Sequence, residues 1–251
     1  MDFGEIFSDS FKYPLNNFKI FLIIGFVLVV TQLISQFSAV LYDNLALSTF
    51  LAIIGGLLGI FSAIFINGYL LSDLRSTIDL NDKMPEIDIK NNLIEGLKYL
   101  VLGFVYVVVC IVIFAIFAIL AALSVEYIHW AIGFILLVLA FFVTIIFGMF
   151  LTIARSRLAA FESLSEALNI AETWNDIKKI GIANYIIWLI ILAVIIFVIF
   201  LILFFILVMF GVAVGPIGII ILSILGTFLI TPYVAFFENR ALGLLYAGKE
   251  D

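Results

Sequence analysis

Long stretches without a charged residue constrain this chain more than any other feature. They lie between Lys19 and Asp43, Asp43 and Asp73, Lys98 and Glu126, Glu126 and Arg155, and Lys179 and Glu238. A helix needs about 20 apolar residues to cross the roughly 30 Å hydrocarbon layer of a membrane. Each of the first four stretches fits one crossing, whereas the last would be about 90 Å long as a single helix. Gly211, Gly215, Pro216 and Gly218 supply a turn within it, so the sequence predicts six membrane spans.

The composition supports the same class of protein. Hydrophobic residues make up 66% of the chain and charged residues 12%, whereas soluble domains average roughly 45–50% and about 25%. We therefore expect an all-α membrane protein with one polytopic domain over residues 1–251. A single cysteine, Cys110, and a single histidine, His129, exclude an intrachain disulfide and a His/Cys zinc site. Twelve basic against eighteen acidic residues argue against a nucleic acid as partner.

The placement of the basic residues predicts the orientation. All of them fall in the N-terminal segment, the second loop, the fourth loop and the C-terminal segment: Lys12, Lys19, Arg75, Lys83, Lys90, Lys98, Arg155, Arg157, Lys178, Lys179, Arg240 and Lys249. With six spans, these four segments share one side of the membrane. The excess of basic residues on the cytoplasmic side then predicts a multi-pass protein of the cell membrane with both termini in the cytoplasm.

Six of these basic residues recur at similar spacing and are our candidates for the cytoplasmic face. Those before odd-numbered spans are Lys19, Lys98 and Lys179, and those after even-numbered spans are Arg75, Arg155 and Arg240. The spacing suggests a threefold internal repeat with units 1–76, 77–156 and 157–251. The alternative is that any series of similar hairpins with basic residues on one side gives this spacing.

Amphipathic segments are expected on the cytoplasmic side of the membrane. Apolar residues recur at helical spacing at Phe3, Ile6, Phe7, Phe11 and Phe18, and at Leu158, Phe161, Leu164, Leu168, Ala171, Trp174 and Ile177. Pro14 predicts a bend before the first span. Ser163 with Glu166 forms either a capping box or part of one continuous helix, and Asn92 with Glu95 resembles a helix start. Such helices would anchor the hairpins at the membrane interface, or they would form a docking surface for a soluble partner.

Uncharged polar residues are the candidates for function within the membrane. No acidic or basic residue falls in the middle of a predicted span, and we identify Gln32, Gln36 and Asn67 as the candidate intramembrane polar residues. They form hydrogen bonds between helices or line a solute pathway. Because no nucleophile motif, phosphate loop or metal-ligand cluster is recognisable, we predict no enzyme, no catalytic residue, no cofactor and no metal.

Three short motifs, Phe3–Pro14, Gly68–Leu71 and Arg240–Tyr246, resemble those of a known family. It is an uncharacterised family of six-span membrane proteins, a domain of unknown function found mostly in methanogenic archaea. The resemblance covers essentially the whole chain and implies an archaeal cell membrane. It brings no assigned activity, so no functional residue can be carried over.

Two functions follow as hypotheses. The first is a non-enzymatic scaffold or accessory subunit, surrounded by membrane lipids, that presents its cytoplasmic face to a protein partner. The alternative is a transporter or channel for a small neutral or lipid-like solute, lined by Gln32, Gln36 and Asn67. A transporter requires a polar-lined cavity that reaches the middle of the membrane, whereas a scaffold is packed shut.

Overall fold

The computed structural model describes residues 2–40 and 45–250, so the predicted turn at Asp43 lies outside the described residues. Within these ranges the chain is helical and has no strands. The α-helices are α1 (Phe3–Asn16), α2 (Phe18–Val40), α3 (Leu45–Ile78), α4 (Ile89–Tyr127), α5 (Trp130–Phe161), α6 (Leu164–Ala167), α7 (Ile170–Ile180), α8 (Ile182–Val214), α9 (Pro216–Leu225) and α10 (Thr231–Ala247). A π-helical turn, Gly226–Ile230, joins α9 to α10, and a 3₁₀ turn, Gly248–Glu250, follows α10.

Five helical segments are long and apolar enough to cross a membrane. They are α3, α4, α5, α8 and the segment Ile217–Ala247, which combines α9, the π-helical turn and α10. The pair of α1 and α2 is bent by 75° and gives a sixth span if the pair is counted as one. The bend follows Pro14, as expected, and the Asn17 side chain donates a hydrogen bond to the Tyr13 carbonyl there.

Local signals place the helix ends. Gly215 has a φ of +74°, which glycine adopts without steric cost, and Pro216 then begins α9. The predicted turn in the last long apolar stretch is therefore confirmed.

The predicted helix start at Asn92 is wrong. Helix α4 begins at Ile89 because the Asp88 side chain accepts a hydrogen bond from the Asn91 backbone N–H, so Asn92 and Glu95 lie inside the helix. Residues 79–88 before it are not helical, and the second loop therefore holds no amphipathic helix of its own.

Helix α6 begins directly after Ser163, but the predicted capping box is absent. The Ser163 side chain makes no capping hydrogen bond, and its hydroxyl instead lies 2.9 Å from that of Ser165. The alternative of one continuous helix fails too, because α5 ends at Phe161 and the chain continues as the short helices α6 and α7.

Burial is concentrated at one end of the bundle. Two clusters of buried apolar residues form there, one around Leu158, Trp188 and Leu242 and the other around Tyr69 and Phe236. In contrast, only 6% of the residues in the most apolar stretch of α5, and equally of α8, are buried. The long helices are thus held together mainly near their charged ends.

Helices α3 and α4 come into backbone contact within this region. A Cβ atom on Gly68 would lie 1.6 Å from the Asn92 carbonyl oxygen, and one on Gly96 would lie 1.8 Å from that of Ile64. Such small residues let membrane helices approach closely. This crossing brings the start of α4 against the end of α3, where the polar side chains described next converge.

Candidate functional site

The four basic segments meet at one end of the molecule. Arg240 binds Asp9 at 2.7 Å and Asp82 at 2.8 Å, which joins the C-terminal segment to the N-terminal segment and the second loop. Arg75 binds Glu162 at 3.1 Å, which joins the second loop to the fourth. We call this surface, formed by residues 2–17, 72–98, 155–181 and 238–250, the charged end. Its composition agrees with the predicted sharing of one side by these segments.

A fully buried carboxylate lies at the centre of the charged end. Asp73 accepts hydrogen bonds from the Tyr13 hydroxyl at 2.7 Å and from Asn239 Nδ2 at 2.6 Å. Arg155 donates to Asn239 Oδ1, and the Arg240 guanidinium lies 4.6 Å from the centre of the Tyr13 ring. Asp73 thereby links α1, α3 and α10, because a buried carboxylate must have its hydrogen bonds satisfied.

A second cluster forms around Asp176 in α7. Arg157 donates to Asp176 at 2.7 Å, and each side chain is 4% exposed. Tyr246 donates at 2.8 Å and Lys249 lies at 3.2 Å. Burial by itself raises the pKa of Asp176, but the hydrogen bonds from Arg157 and Tyr246 outweigh it, so the pKa lies below its ordinary value. Burial also lowers the pKa of Lys249. This cluster fixes α7 and the C-terminal segment to α5.

A third cluster joins α3, α4 and α5. Arg75 donates through Nε to the Ala159 carbonyl at 2.7 Å and pairs with Glu95 at 3.4 Å. Glu95 is 2% exposed and also pairs with Lys98 at 2.8 Å. The Lys98 ammonium donates in addition to the Glu162 carbonyl at 3.0 Å. The end of α5 is therefore held by Arg75 of α3 and by Lys98 of α4.

The six predicted basic residues separate into two groups. Arg75, Arg155, Arg240 and Lys98 take part in these internal networks, whereas Lys19 and Lys179 are exposed. The networked residues therefore join separate segments of the chain, and their charges are paired within the fold. The repeat suggested by their spacing stays a prediction.

The intramembrane candidates are only partly brought together. A groove of about 390 Å³ between α2 and α3 is lined by Leu28, Thr31, Gln32, Gly59, Ser62, Ala63, Ile66 and Asn67. Gln32 Oε1 is buried and has no hydrogen-bond partner among the described residues. The Asn67 side chain donates to the Ala63 carbonyl of its own helix. Gln36 is not among the described residues that line this groove, and the predicted lining by all three residues stays a prediction.

Sequence reasoning missed the residues that carry most of the polar contacts. Asp73 served only as the boundary of a charge-free stretch, and Tyr13, Asn239, Asp176 and Tyr246 were not singled out. A weak signal existed, because Tyr13, Asn239 and Tyr246 lie in or beside motifs that carry the family resemblance. Their pairing was not visible, since Asn239 and Asp73 are 166 residues apart in the chain.

The comparisons with known proteins place the chain in a family without giving it an activity. Residues 54–208 match the family described as "Protein of unknown function (DUF4013)". No curated protein and no solved structure matches the chain. Of the three motifs behind the resemblance, only Gly68–Leu71 lies in the matched region, and the archaeal membrane that it implied stays a prediction. The match covers more than half of the sequence, and the chain therefore belongs to the DUF4013 family of proteins of unknown function.

Proposed function

We propose that the protein is a non-enzymatic scaffold or accessory subunit of the cell membrane that presents its charged end to a protein partner in the cytoplasm. The observation that carries this proposal is the internal pairing at the charged end. Arg75, Arg155 and Arg240 each reach a residue of another predicted repeat unit, namely Ala159, Asn239 and Asp9. The result is a rigid surface built from segments that are distant in sequence, which suits presentation to a partner.

The cytoplasmic orientation is supported by charge. Every basic residue except Lys19 lies within the charged end, and Lys19 follows shortly after residues 2–17. Membrane proteins keep an excess of basic residues in the cytoplasm. Helix α4 separates two exposed acidic residues, Glu86 before its start and Glu126 near its end. In a variant with Cys110 replaced by alanine, a membrane-impermeant thiol reagent added outside the cell should label E126C and leave E86C unlabelled. Labelling of E86C alone would mean that the charged end faces the outside of the cell.

The scaffold function is tested by photo-crosslinking in native membranes. A photoreactive residue at Glu86 or Glu172, both exposed at the charged end, should yield a discrete protein adduct. The same residue at Glu126 is the matched control and should yield lipid adducts only. Lipid adducts alone from all three positions would contradict the scaffold.

The α2–α3 groove favours a second candidate, a transporter or channel for a small neutral or lipid-like solute. Its support is the Gln32 oxygen, which is buried without a partner among the described residues and adjoins the groove. Such an atom is costly at hydrocarbon depth unless a donor reaches it. Reconstituted vesicles should then exchange a fluorescent phospholipid between leaflets, and Q32L should slow this exchange while Q36L does not. If vesicles that contain the protein exchange lipid no faster than empty vesicles, the protein does not transport phospholipid.

A further inference from the structure

A cavity of about 810 Å³ opens at the charged end between α1, the turn after α3, the end of α5 and the end of α10. Its apolar part includes Leu80, Phe161 and Leu244, and its rim carries the carboxylates of Glu5 and Asp79. None of the three clusters described above accounts for this combination of apolar surface and carboxylates.

Two apolar side chains are held at the cavity without being buried. Leu80 is 66% exposed and Phe161 is 51% exposed. Leu80 also has a φ of +58°, a backbone conformation that is rare for a bulky residue and costs free energy. The exposed leucine gains little from burial in the folded protein. A partner that covers Leu80 would remove its side chain from water, and this burial would stabilise the complex.

The charge around the cavity is negative. Glu5 and Asp79 are exposed. Lys249 is the basic residue among the described residues that line the cavity, and its ammonium is already engaged by Asp176 at 3.2 Å and by the Tyr246 ring at 3.6 Å. A neighbouring cavity of about 620 Å³ is also bordered by Glu5, but its Asp9 and Asp82 are paired with Arg240, and Lys12 lines it as well. The carboxylates of Glu5 and Asp79 therefore give the rim of the larger cavity its negative charge.

We propose that this acidic-rimmed apolar groove binds a basic amphipathic helix of a partner protein. The inference rests on the proposed scaffold function and names the chemistry of its partner. Lysines or arginines on one face would complement the carboxylates, and leucine-type side chains on the other would cover Leu80 and Phe161. Anionic lipid headgroups fit this surface poorly, because the carboxylates repel them.

The test uses the full chain in nanodiscs of phosphatidylcholine, which has no net charge. The probe is a fluorescent 18-residue amphipathic peptide of lysine and leucine, and its signal on empty nanodiscs is subtracted. We expect saturable binding that weakens at least tenfold in the double variant E5K/D79K and in L80S. The matched control E86K changes an exposed carboxylate outside both cavities and should bind as the unmodified protein does.

Several outcomes would overturn the inference. They are equal binding by E5K/D79K and the unmodified chain, equal binding of a glutamate and leucine peptide, or a signal no larger than that of empty nanodiscs. All three altered residues are exposed, and unchanged thermal unfolding would verify that the variants fold. If crosslinks from Glu86 or Glu172 persist while the peptide does not bind, the scaffold stands and this groove is not its docking site. If the peptide binds but no crosslink forms, the groove binds basic helices and the scaffold function is contradicted.

Discussion

The beginning and the middle of α8 show how differently two regions of this molecule are stabilised. Near the charged end, Trp188 is fully buried and stacks on Phe7 and Tyr185. About two and a half turns further on, Phe197 is 65% exposed. The hydrophobic effect stabilises the first region, because folding removes its apolar surface from water. Lipid exerts no such force, since its chains are as apolar as the side chains.

Truncation of Trp188 and Phe197 is expected to give the largest difference in stability between the two regions. W188A should lower the free energy of unfolding by about 3–5 kcal/mol, because it leaves a cavity in a packed core. F197A should change it by no more than about 0.5 kcal/mol. Equilibrium unfolding in mixed detergent micelles with increasing dodecyl sulfate measures both. Equal losses would mean that the lipid-facing half is packed as tightly as the charged end.

The Asp176 cluster adds a dependence on pH to the same comparison. D176N should destabilise the protein at pH 7 by roughly 1.5–3 kcal/mol, the range for hydrogen bonds to charged groups. Because the pKa of Asp176 is lowered on folding, its contribution is complete above the ordinary carboxylate pKa of about 4. The contribution is lost as the pH falls through the lowered value. Unfolding measured between pH 7 and pH 3 should show the wild type and D176N converging in acid.

A gap between these two proteins that is constant across the whole pH range would contradict this assignment. D176A serves as a further variant, since it removes the hydrogen-bonding group as well and should be less stable than D176N at every pH.

The crossing of α3 and α4 tests whether close backbone contact is confined to the charged end. G96A should cost about 1–3 kcal/mol, the usual range for overpacking, because its Cβ atom would meet the Ile64 carbonyl oxygen at 1.8 Å. G103A lies two turns further along α4, where nothing is within 4 Å, and should be nearly neutral. The same unfolding titration compares the two variants, and equal stability would refute the close crossing.

The exposed lysines give the smallest expected effect. K19A and K179A should each change the free energy of unfolding by no more than about 0.5 kcal/mol, as is usual for surface positions. Both residues shared the sequence pattern of Arg75, Arg155 and Arg240, but both are exposed. A loss as large as that of G96A, measured in the same micelles, would place these lysines in the internal network as well.

The fold was predictable to the extent that it depends on local chemistry. The apolar stretches predicted the long helices, Gly215 and Pro216 predicted the turn between α8 and α9, and Pro14 predicted the bend before α2. The residues at which helices begin were harder to predict. The cap at Asp88 competes with a similar pattern at Asn92 and Glu95, and only the backbone around each residue decides between them.

The candidate site was predictable only in location. The basic residues indicated which segments share one end, yet the partners of each cation come from distant parts of the chain. Arg240 and Asp9 are 231 residues apart, and Arg157 and Asp176 meet across the break between α5 and α7. Charge pattern therefore identified the cations but could not show which of them are neutralised inside the fold.

By itself, the sequence determined that this is a multi-helix membrane protein with its basic residues in four segments. Partition into lipid is nearly additive along the chain, so composition and the spacing of charges are sufficient for it. Only the tertiary structure decided that Asp73 is buried beneath Tyr13 and Asn239 and that Leu80 stays exposed beside carboxylates. Those outcomes depend on contacts between distant segments, whose geometry is fixed when the hairpins pack and not by any local stretch of residues.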